Sequence, residues 1–255
     1  MFIDTHAHLD FESFDKDREA VIQRAIENKV SAIITIGTSL ETSRKAVSYA
    51  KNYASIFAAV GIHPSDCAAA SDADYLEIEK LSKEEKVIAI GEVGLDYYRM
   101  YTDKETQKAA FIRQIAIAKR VNLPLIVHTR ESQEDALQIL LEENANAVSG
   151  VFHSFSGSME FLEKVLATNF YISFTGGVTF KKSTVDELVL KTPVEKILLE
   201  TDSPFITPVP HRGKRNEPCF VTHIATKIAE IKGMKVDDLA EITTENARHL
   251  FGFSI

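Results

Sequence analysis

The chain begins with the stretch Phe2-Ile3-Asp4-Thr5-His6-Ala7-His8, in which two histidines follow a short apolar run. Side chains two residues apart on a β-strand point to the same side, so this stretch predicts two imidazoles side by side at a strand end. Imidazole is the side chain that most often binds metals in proteins. An isolated His-x-His is weak evidence for a metal site, because short motifs also match by chance. The rest of the chain therefore decides its interpretation.

Seven further short apolar runs follow, separated by stretches with the spacing of amphipathic helices. The predicted strands cover residues 2–5, 32–36, 56–60, 87–90, 125–127, 150–152, 170–174 and 196–199. Most are apolar throughout, as expected for parallel strands covered on both faces. The predicted helices cover residues 15–28, 103–121, 131–142, 161–167 and 184–190, with a C-terminal helical region from about 220 to 250 that is interrupted near Gly233.

Alternating strands and helices place the chain in the α/β class with a parallel sheet. Eight such units favour one closed (β/α)8 TIM-type barrel, regular or distorted, and about 250 residues is the usual length of such a barrel. We therefore predict a single domain over residues 1–255. An open doubly wound sheet is the alternative, but its usual Gly-x-Gly-x-x-Gly signature after the first strand is missing.

Composition argues against several classes of protein. The chain is 45% hydrophobic and carries a formal net charge of −8, which argues against a wholly basic nucleic-acid coat protein or a polybasic membrane binder. Its 2 cysteines form no Cys-x-x-Cys, and no apolar run approaches the roughly 18 residues of a membrane span. No signal peptide or sustained heptad pattern is visible. We expect a cytoplasmic monomer that does not contact membranes.

Residues that can bind metals cluster at the carboxyl ends of the predicted strands. They are His6 and His8 at the first strand, His63 after the third, Glu92 after the fourth, His128 and His153 at the fifth and sixth, and Glu200 and Asp202 at the eighth. In (β/α)8 barrels these ends form one rim, where functional side chains lie. The pattern therefore predicts a metal centre. Mixed nitrogen and oxygen ligands suit Zn²⁺, Mn²⁺, Ni²⁺ or Co²⁺, whereas Mg²⁺ prefers oxygen.

In these segments the chain resembles the TatD-type metal-dependent DNase family, within the amidohydrolase-like barrels. The motifs are Asp4-Thr5-His6-Ala7-His8-Leu9-Asp10, Gly61-Ile62-His63-Pro64, Gly91-Glu92-Val93-Gly94-Leu95-Asp96-Tyr97, His128-Thr129-Arg130, His153-Ser154-Phe155-Ser156-Gly157, Glu200-Thr201-Asp202-Ser203-Pro204 and Arg212-Gly213-Lys214-Arg215-Asn216-Glu217-Pro218. Together and in this order they are highly specific, and the resemblance covers essentially the whole chain. One departure is visible, because Ser154 stands where relatives often have cysteine.

The resemblance implies two divalent metal ions, of Zn²⁺, Mn²⁺, Mg²⁺, Ni²⁺ or Co²⁺. By its pattern one ion is held by His6, His8 and Asp202 and the other by His128 and His153, with Glu92 between them. Ser154 is not expected to be a ligand.

We expect metal-activated hydroxide to attack a phosphodiester. In this scheme Asp202 also accepts a proton as general base, Glu200 orients the water or a ligand, and His63 hydrogen-bonds the phosphate or protonates it. Further phosphate contacts are predicted for Arg130 and for the cationic segment after the eighth strand, which contains Arg212, Lys214 and Arg215.

The expected substrate is single-stranded DNA or another phosphodiester. The resemblance implies 3′-5′ exonuclease activity, and the overall acidity favours a short footprint with few phosphate contacts. Four aromatic residues near the predicted ligands are candidates for base stacking: Tyr97, Tyr98, Phe155 and Phe205. One alternative is an amidohydrolase-like hydrolase of a small phosphoester, amide or lactone. A second is a non-catalytic, metal-stabilised scaffold, although structural zinc sites are usually closed and rich in cysteine.

Overall fold

The computed structural model describes residues 1–181 and 183–253. Within these residues the strands are β1 (Phe2–Ala7), β2 (Val30–Ile36), β3 (Ile56–Val60), β4 (Val87–Asp96), β5 (Leu125–Arg130), β6 (Gly150–Phe152), β7 (Tyr171–Phe174) and β8 (Ile197–Leu199). They form one parallel sheet in sequential order. The sheet closes where Ala7 bridges Ser203 in parallel and the His8 N–H donates to the Ser203 carbonyl at 2.8 Å. The predicted (β/α)8 barrel is confirmed, and the doubly wound alternative is wrong.

All eight predicted strands are present, but β1, β4 and β5 continue beyond their predicted ends. The largest difference is in β4, which extends to Asp96, so that Glu92 lies inside this strand and not after it. All ten residues of β4 are buried, but an apolar run marks only its first part, because Glu92 and Asp96 near the rim of the barrel are polar. Strand pairing of β4 with β5 continues through Gly94 with His128 and Asp96 with Arg130.

The helices of the described chain are α1 (Arg18–Glu27), α2 (Leu40–Asn52), α3 (Asp72–Leu81), α4 (Lys104–Val121), α5 (Gln133–Glu142), α6 (Met159–Leu166), α7 (Asp186–Lys191), α8 (Val221–Lys232) and α9 (Val236–Phe251). Helices α2 and α3 were not predicted from the sequence, because each buries few large apolar side chains. Both begin with a capping box, formed by Ser39 with Thr42 and by Ser71 with Asp74, and this was the available signal.

The apolar core has two parts. A larger cluster, which includes Val60, Phe111 and Ile224, packs the strands against the helices. A smaller cluster takes alternate strand residues and therefore fills the barrel interior. It includes Phe253, which packs on Phe57 with ring centroids 4.3 Å apart near the amino end of β3. The C-terminal segment thus covers one end of the barrel and leaves the carboxyl ends of the strands accessible.

The eight strands of the described residues belong to one sheet, and the single domain over residues 1–255 stays a prediction. In the described part of the chain no helix is both long and apolar enough to cross a membrane.

Candidate metal centre

The closure of the barrel brings three of the predicted metal ligands together. His6 and His8 point to the same side of β1, with their Nε2 atoms 3.2 Å apart. The backbone N–H of Asp202 donates to the His6 carbonyl at 2.9 Å. This bond places Oδ1 of Asp202 3.7 Å from Nε2 of His6 and 3.4 Å from Nε2 of His8. The strand pairing that closes the barrel therefore also assembles this part of the site.

Asp4, which the sequence analysis did not select, holds the segment that carries Asp202. Its buried carboxylate accepts hydrogen bonds from the Thr201 N–H at 2.8 Å and the Thr201 hydroxyl at 2.6 Å. Burial raises the pKa of Asp4 to about 8, although both hydrogen bonds oppose the shift. From the other side, the side-chain amide of Asn216 donates to the Thr201 carbonyl at 2.8 Å. Asp202 is thus fixed through its neighbour in the chain.

Glu92 lies at the centre of the site, and its two oxygens face different sets of histidines. Its Oε2 lies 3.5 Å from Nε2 of His6 and 3.7 Å from Nε2 of His8. Its Oε1 lies 2.8 Å from Nδ1 of His128 and 2.9 Å from Nε2 of His153. A single buried carboxylate therefore connects the donors of β1 with those of β5 and β6.

Close packing of β4 against β5 makes this arrangement possible. Gly94 adopts a φ of +133°, and a Cβ atom there would lie 2.1 Å from the carbonyl oxygen of His128. Only glycine tolerates both the conformation and the contact. We infer that the glycine two residues after Glu92 allows His128 to approach that carboxylate.

The buried charges of the site stabilise one another. Burial alone would raise the pKa of Glu92, but the charge of His153 and the hydrogen bonds from His128 and His153 hold it well below its usual range. Burial likewise opposes ionisation of Asp202, but the hydrogen bond from His8 and the charges of the neighbouring histidines keep its pKa low. Both carboxylates are therefore ionised at neutral pH, as metal ligands must be.

The donor atoms fit a divalent metal ion. Five of the distances among Nε2 of His6, Nε2 of His8, Oδ1 of Asp202 and Oε2 of Glu92 lie between 3.2 and 3.7 Å. Tetrahedral coordination with bonds of roughly 2.0–2.2 Å separates ligand atoms by roughly 3.3–3.6 Å. Among the other donors, Nδ1 of His128 and Nε2 of His153 lie 3.2 Å apart beside Oε1 of Glu92.

Asp96 supports His128 and was also missed by the sequence analysis. Its Oδ2 lies 3.3 Å from Nε2 of His128, while its Oδ1 accepts the backbone N–H groups of Tyr98 and Arg99 at 3.0 and 2.9 Å. Burial opposes its ionisation, but these hydrogen bonds and the charge of His128 lower the pKa of Asp96 to about 2. An anion at Nε2 favours the tautomer of His128 that directs an Nδ1 lone pair toward the site.

His63 lies next to this group, with Nε2 3.6 Å from Oε1 of Glu92. Its Nδ1 accepts the backbone N–H of Ser65 at 3.1 Å, so the neutral ring carries its proton on Nε2. Burial lowers the pKa of His63 to about 3, although the charge of Glu92 opposes the shift. His63 therefore presents a neutral N–H donor to the site. This geometry favours hydrogen bonding to a phosphate over its protonation.

Glu200 lies behind His153. Its Oε1 accepts the backbone N–H of Ser154 at 2.6 Å and lies 3.7 Å from Nδ1 of His153. Only 1% of Glu200 is exposed, and it is not among the residues that line the cavity at the site. Its contacts favour the orientation of a ligand, one of the two roles predicted for it, over direct contact with substrate.

The site opens into a cavity of about 670 Å³ at the rim of the barrel. Two of its walls differ in chemistry. Arg99, Tyr101 and Arg130 are among the lining residues and form what we call the cationic wall, and Phe11 and Phe205 form what we call the apolar wall. The two phenylalanines are 36% and 45% exposed, and their rings meet edge to face at 5.1 Å. Arg99, Tyr101 and Phe11 were not selected from the sequence, although each lies within a few residues of a motif that marks the site.

The predicted phosphate-binding cations lie in different surroundings. Arg130 lines the cavity and stacks on Tyr98 at 3.8 Å, whereas Arg212 lines a neighbouring cavity. Lys214 is exposed and lines neither of these two cavities. Arg215 also lines neither cavity and is paired with two carboxylates.

The contacts of Arg215 are structural. Its guanidinium contacts Asp17 at 2.7 Å, Glu217 at 2.9 Å and the Ser13 carbonyl, and it lies over the ring of Phe14. A guanidinium with these partners is not available to grip a phosphate, so we correct the predicted assignment of Arg215.

The aromatic candidates divide in the same way. Phe205 and Tyr98 are exposed near the cavity. Tyr97 instead donates its hydroxyl to Asp135 at 2.8 Å, and Phe155 is only 5% exposed and packs on Phe161. We therefore retain Phe205 and Tyr98 as candidates for stacking.

Sequence and fold both match one group of known proteins. The model of a family described as TatD related DNase matches residues 3–252. YabD of Bacillus subtilis, named as an uncharacterized metal-dependent hydrolase, is 48% identical over 252 residues, which cover 98% of this chain and 99% of that protein. The 3′-5′ ssDNA/RNA exonuclease TatD of Erwinia amylovora is 36% identical over 256 residues, covering 98% of this chain and 99% of that protein. The crystal structure of YJJV, a TatD homolog from Escherichia coli, has a TM-score of 0.92 at 30% identity and covers 99% of this chain and 98% of that chain.

Proposed function

The chain belongs to the TatD-related DNase family of metal-dependent hydrolases, and from this premise we propose that it is a 3′-5′ exonuclease of single-stranded DNA. The observation that carries the proposal is the position of Glu92, whose two oxygens face two separate sets of histidine donors. The polarity and the strand preference are taken from the name of the relative in Erwinia amylovora.

We assign two divalent ions to the site. His6, His8 and Asp202 would hold one ion together with Oε2 of Glu92, and His128 and His153 would hold the other together with Oε1. When bound, such ions lower the pKa of water toward about 7 and neutralise charge on a phosphate. Because both ions would use the carboxylate of Glu92, we propose a pair of neighbouring metal ions rather than two independent metal sites.

The protein side chains supply proton transfer and orientation. Asp202 is ionised and accepts a proton from the attacking water. His63 donates a hydrogen bond from its Nε2–H to a phosphate oxygen, because its Nδ1 already accepts the backbone N–H of Ser65. Arg99 and Arg130 lie on the cationic wall and hold the neighbouring phosphate.

The apolar wall gives the site a preference for an unpaired base. Phe11 and Phe205 present exposed ring faces and edges beside His8, with centroid distances to that imidazole of 5.5 and 6.1 Å. An unpaired terminal base can stack there, whereas a base within a duplex cannot reach it without unpairing. This wall therefore supports a single-stranded substrate.

Hydrolysis of a small phosphoester is a second candidate. The cavity of about 670 Å³ is of the size that also encloses a small molecule. The cationic wall favours a phosphate over an amide or lactone in either case.

The test is cleavage of single-stranded DNA labelled at its 5′ end, in Mn²⁺ or Mg²⁺ and in EDTA. We expect a metal-dependent ladder that shortens from the 3′ end and is absent in the Glu92→Ala variant. Glu142→Ala changes an exposed glutamate on α5 and is the matched control, which should behave as wild type. Failure to cut DNA by a protein that holds its metal would exclude the exonuclease and leave the small phosphoester, to be tested with nitrophenyl phosphates.

A further inference from the structure

A second cavity, of about 640 Å³, adjoins the candidate metal centre. Ser154, Ser156 and Ile206 line both cavities and form the ridge between them. Phe174, Val178 and Phe180, from the end of β7 and the segment after it, contribute much of its apolar lining. None of the roles proposed above uses this cavity.

We infer that the second cavity binds the base of the nucleotide next to the one at the metal centre. This inference rests on the proposed function and extends it, because it gives the exonuclease a binding site beyond the scissile phosphate. A polymeric substrate must continue past the metal centre, and the ridge residues connect the two cavities directly.

The charge of the second cavity agrees with this occupant. The whole chain carries a formal charge of −8. Among the described residues that line the cavity, however, Arg212 and Lys181 are the charged ones and neither Asp nor Glu is present. An apolar pocket with cations and without carboxylates suits a flat apolar group attached to an anion. A nucleotide has this construction, because its base is planar and its phosphate is charged.

Arg212 provides a specific surface for such a base. Its guanidinium lies 3.8 Å from the centroid of the Phe180 ring. Arg212 is exposed, so the stacked pair remains accessible. Bases stack on aromatic rings and on guanidinium planes, and the donor edges of the guanidinium are free to bind phosphate at the same time.

The ridge has the backbone conformation of a constrained site. Ser154 and Ile206 both have a φ of +48°, which is uncommon for residues other than glycine and unfavourable for the β-branched isoleucine. Such conformations persist where the surrounding structure enforces them, and they cluster at ligand-binding sites. The hydrogen bond from the Ser154 N–H to Glu200 fixes one side of the ridge.

Gly177 offers a way to fill the cavity without disturbing the fold. A Cβ atom at this position would meet the Thr175 hydroxyl at 3.7 Å and a methyl group of Ile206 at 3.8 Å, which are ordinary contacts. Gly177→Phe therefore places a ring in the cavity, and Gly177→Ala is the matched control. Thr184→Trp is a second filling variant, because Thr184 is exposed and lines the same cavity.

Two substrates distinguish an effect on binding in the second cavity from an effect on hydrolysis at the metal centre. A 5′-labelled DNA decamer occupies both cavities, whereas thymidine 5′-(4-nitrophenyl) phosphate has one base and no second nucleotide. We expect both filling variants to lower kcat/KM on the decamer about tenfold, within the range for one lost base–aromatic contact. On the small ester they should stay within about twofold of wild type, which also shows that they are folded. Equal losses on both substrates, or no loss on the decamer, would overturn the inference.

An abasic site gives a direct measure of coupling. Placed at the second nucleotide from the 3′ end, it should lower the rate of the wild type. It should also abolish the difference in rate between the wild type and Gly177→Phe, because the missing base and the substitution remove the same interaction in the second cavity. A difference that persists on the abasic decamer would show that the ring acts elsewhere.

Binding of a fluorescent decamer in EDTA keeps the two hypotheses distinguishable. If the wild type cleaves neither substrate, the proposed function fails, and the binding measurement still tests the cavity. Weaker binding by Gly177→Phe, with Gly177→Ala unchanged, supports a base-binding cavity. Equal affinity of all three proteins refutes it.

Discussion

Replacing Asp96 by asparagine is expected to weaken metal binding while leaving the fold intact. The substitution is isosteric, and the remaining oxygen can still accept the N–H groups of Tyr98 and Arg99, which now bond to Oδ1. The new amide nitrogen then faces Nε2 of His128 at the 3.3 Å now occupied by Oδ2. Two donors cannot satisfy each other, so the imidazole proton moves to Nδ1. Nδ1 is the atom that lies beside Oε1 of Glu92 and would bind the metal.

The expected size of the effect follows from the bond that is lost. A hydrogen bond between a carboxylate and a buried imidazole contributes about 1.5–3 kcal/mol, which corresponds to a factor of about 10–150 in affinity. Loss of a partner that orients a metal-binding histidine typically weakens metal affinity by about 10–100-fold. We therefore expect the Mn²⁺ concentration for half-maximal activity to rise by about 10–100-fold, with most of kcat recovered at saturating metal.

The assay is hydrolysis of thymidine 5′-(4-nitrophenyl) phosphate as a function of Mn²⁺ concentration, after removal of metal by dialysis. Asp135→Asn is the matched control, because Asp135 also accepts a hydrogen bond from a side chain, the Tyr97 hydroxyl at 2.8 Å, but does not line the site. It should need no more Mn²⁺ than the wild type. An unchanged Mn²⁺ requirement in Asp96→Asn would refute the role of Asp96, and a loss of kcat that excess metal does not restore would point to a role in the chemical step.

Three further predictions follow from the geometry. His63→Gln should lower kcat/KM by about 10–100-fold without changing the shape of the pH profile between about pH 5 and 9, since a histidine with a pKa of about 3 stays neutral there; an acidic limb near pH 6.5 that disappears in the variant would contradict this. Phe205→Ala should raise KM for single-stranded DNA by about 5–100-fold and spare kcat, and an equal fall in kcat would argue against stacking in the ground state. Arg215→Gln should lower the free energy of unfolding by about 1 kcal/mol in urea titrations at neutral pH and leave DNA affinity unchanged. The hydrogen bond from Arg215 lowers the pKa of Asp17 to about 2, so this stabilisation is present above the unfolded pKa near 4 and is lost as pH falls toward 2; a difference between the proteins that persists at low pH would show another origin.

Much of the fold could be predicted from the sequence because the strands are parallel and buried on both faces. Such strands produce continuous apolar runs, and all eight were recognisable. Their ends were less predictable, as β4 shows. Glu92 and Asp96 are polar residues of the site that lie inside β4. In the sequence, a polar residue inside a strand looks the same as one that follows its end, until the pairing with β5 is known.

The site was predictable where one rule sufficed. The rule that side chains at the carboxyl ends of barrel strands meet at one rim selected His6, His8 and Glu92, which the structure brings together. Asp96 was not predicted because its role depends on a contact with His128, which lies 32 residues away in the chain. Arg215 was misassigned for the same reason: a count of cations does not reveal Asp17 as its partner.

The polar side chains at the rim of the barrel are not explained by a contribution to the stability of the fold. Burial disfavours ionised carboxylates and partnerless imidazole nitrogens, and a site built only for packing would carry apolar side chains at these positions. Glu92 and Asp202 nevertheless remain ionised in the site, and in the described residues Nδ1 of His6 and of His8 have no hydrogen-bond partner. Departures from local stability that concentrate at one place are expected at functional sites. The same reasoning applies to the ridge at Ile206, whose unfavourable backbone conformation is otherwise unexplained, and it is the physical reason to look for substrate on both sides of that residue.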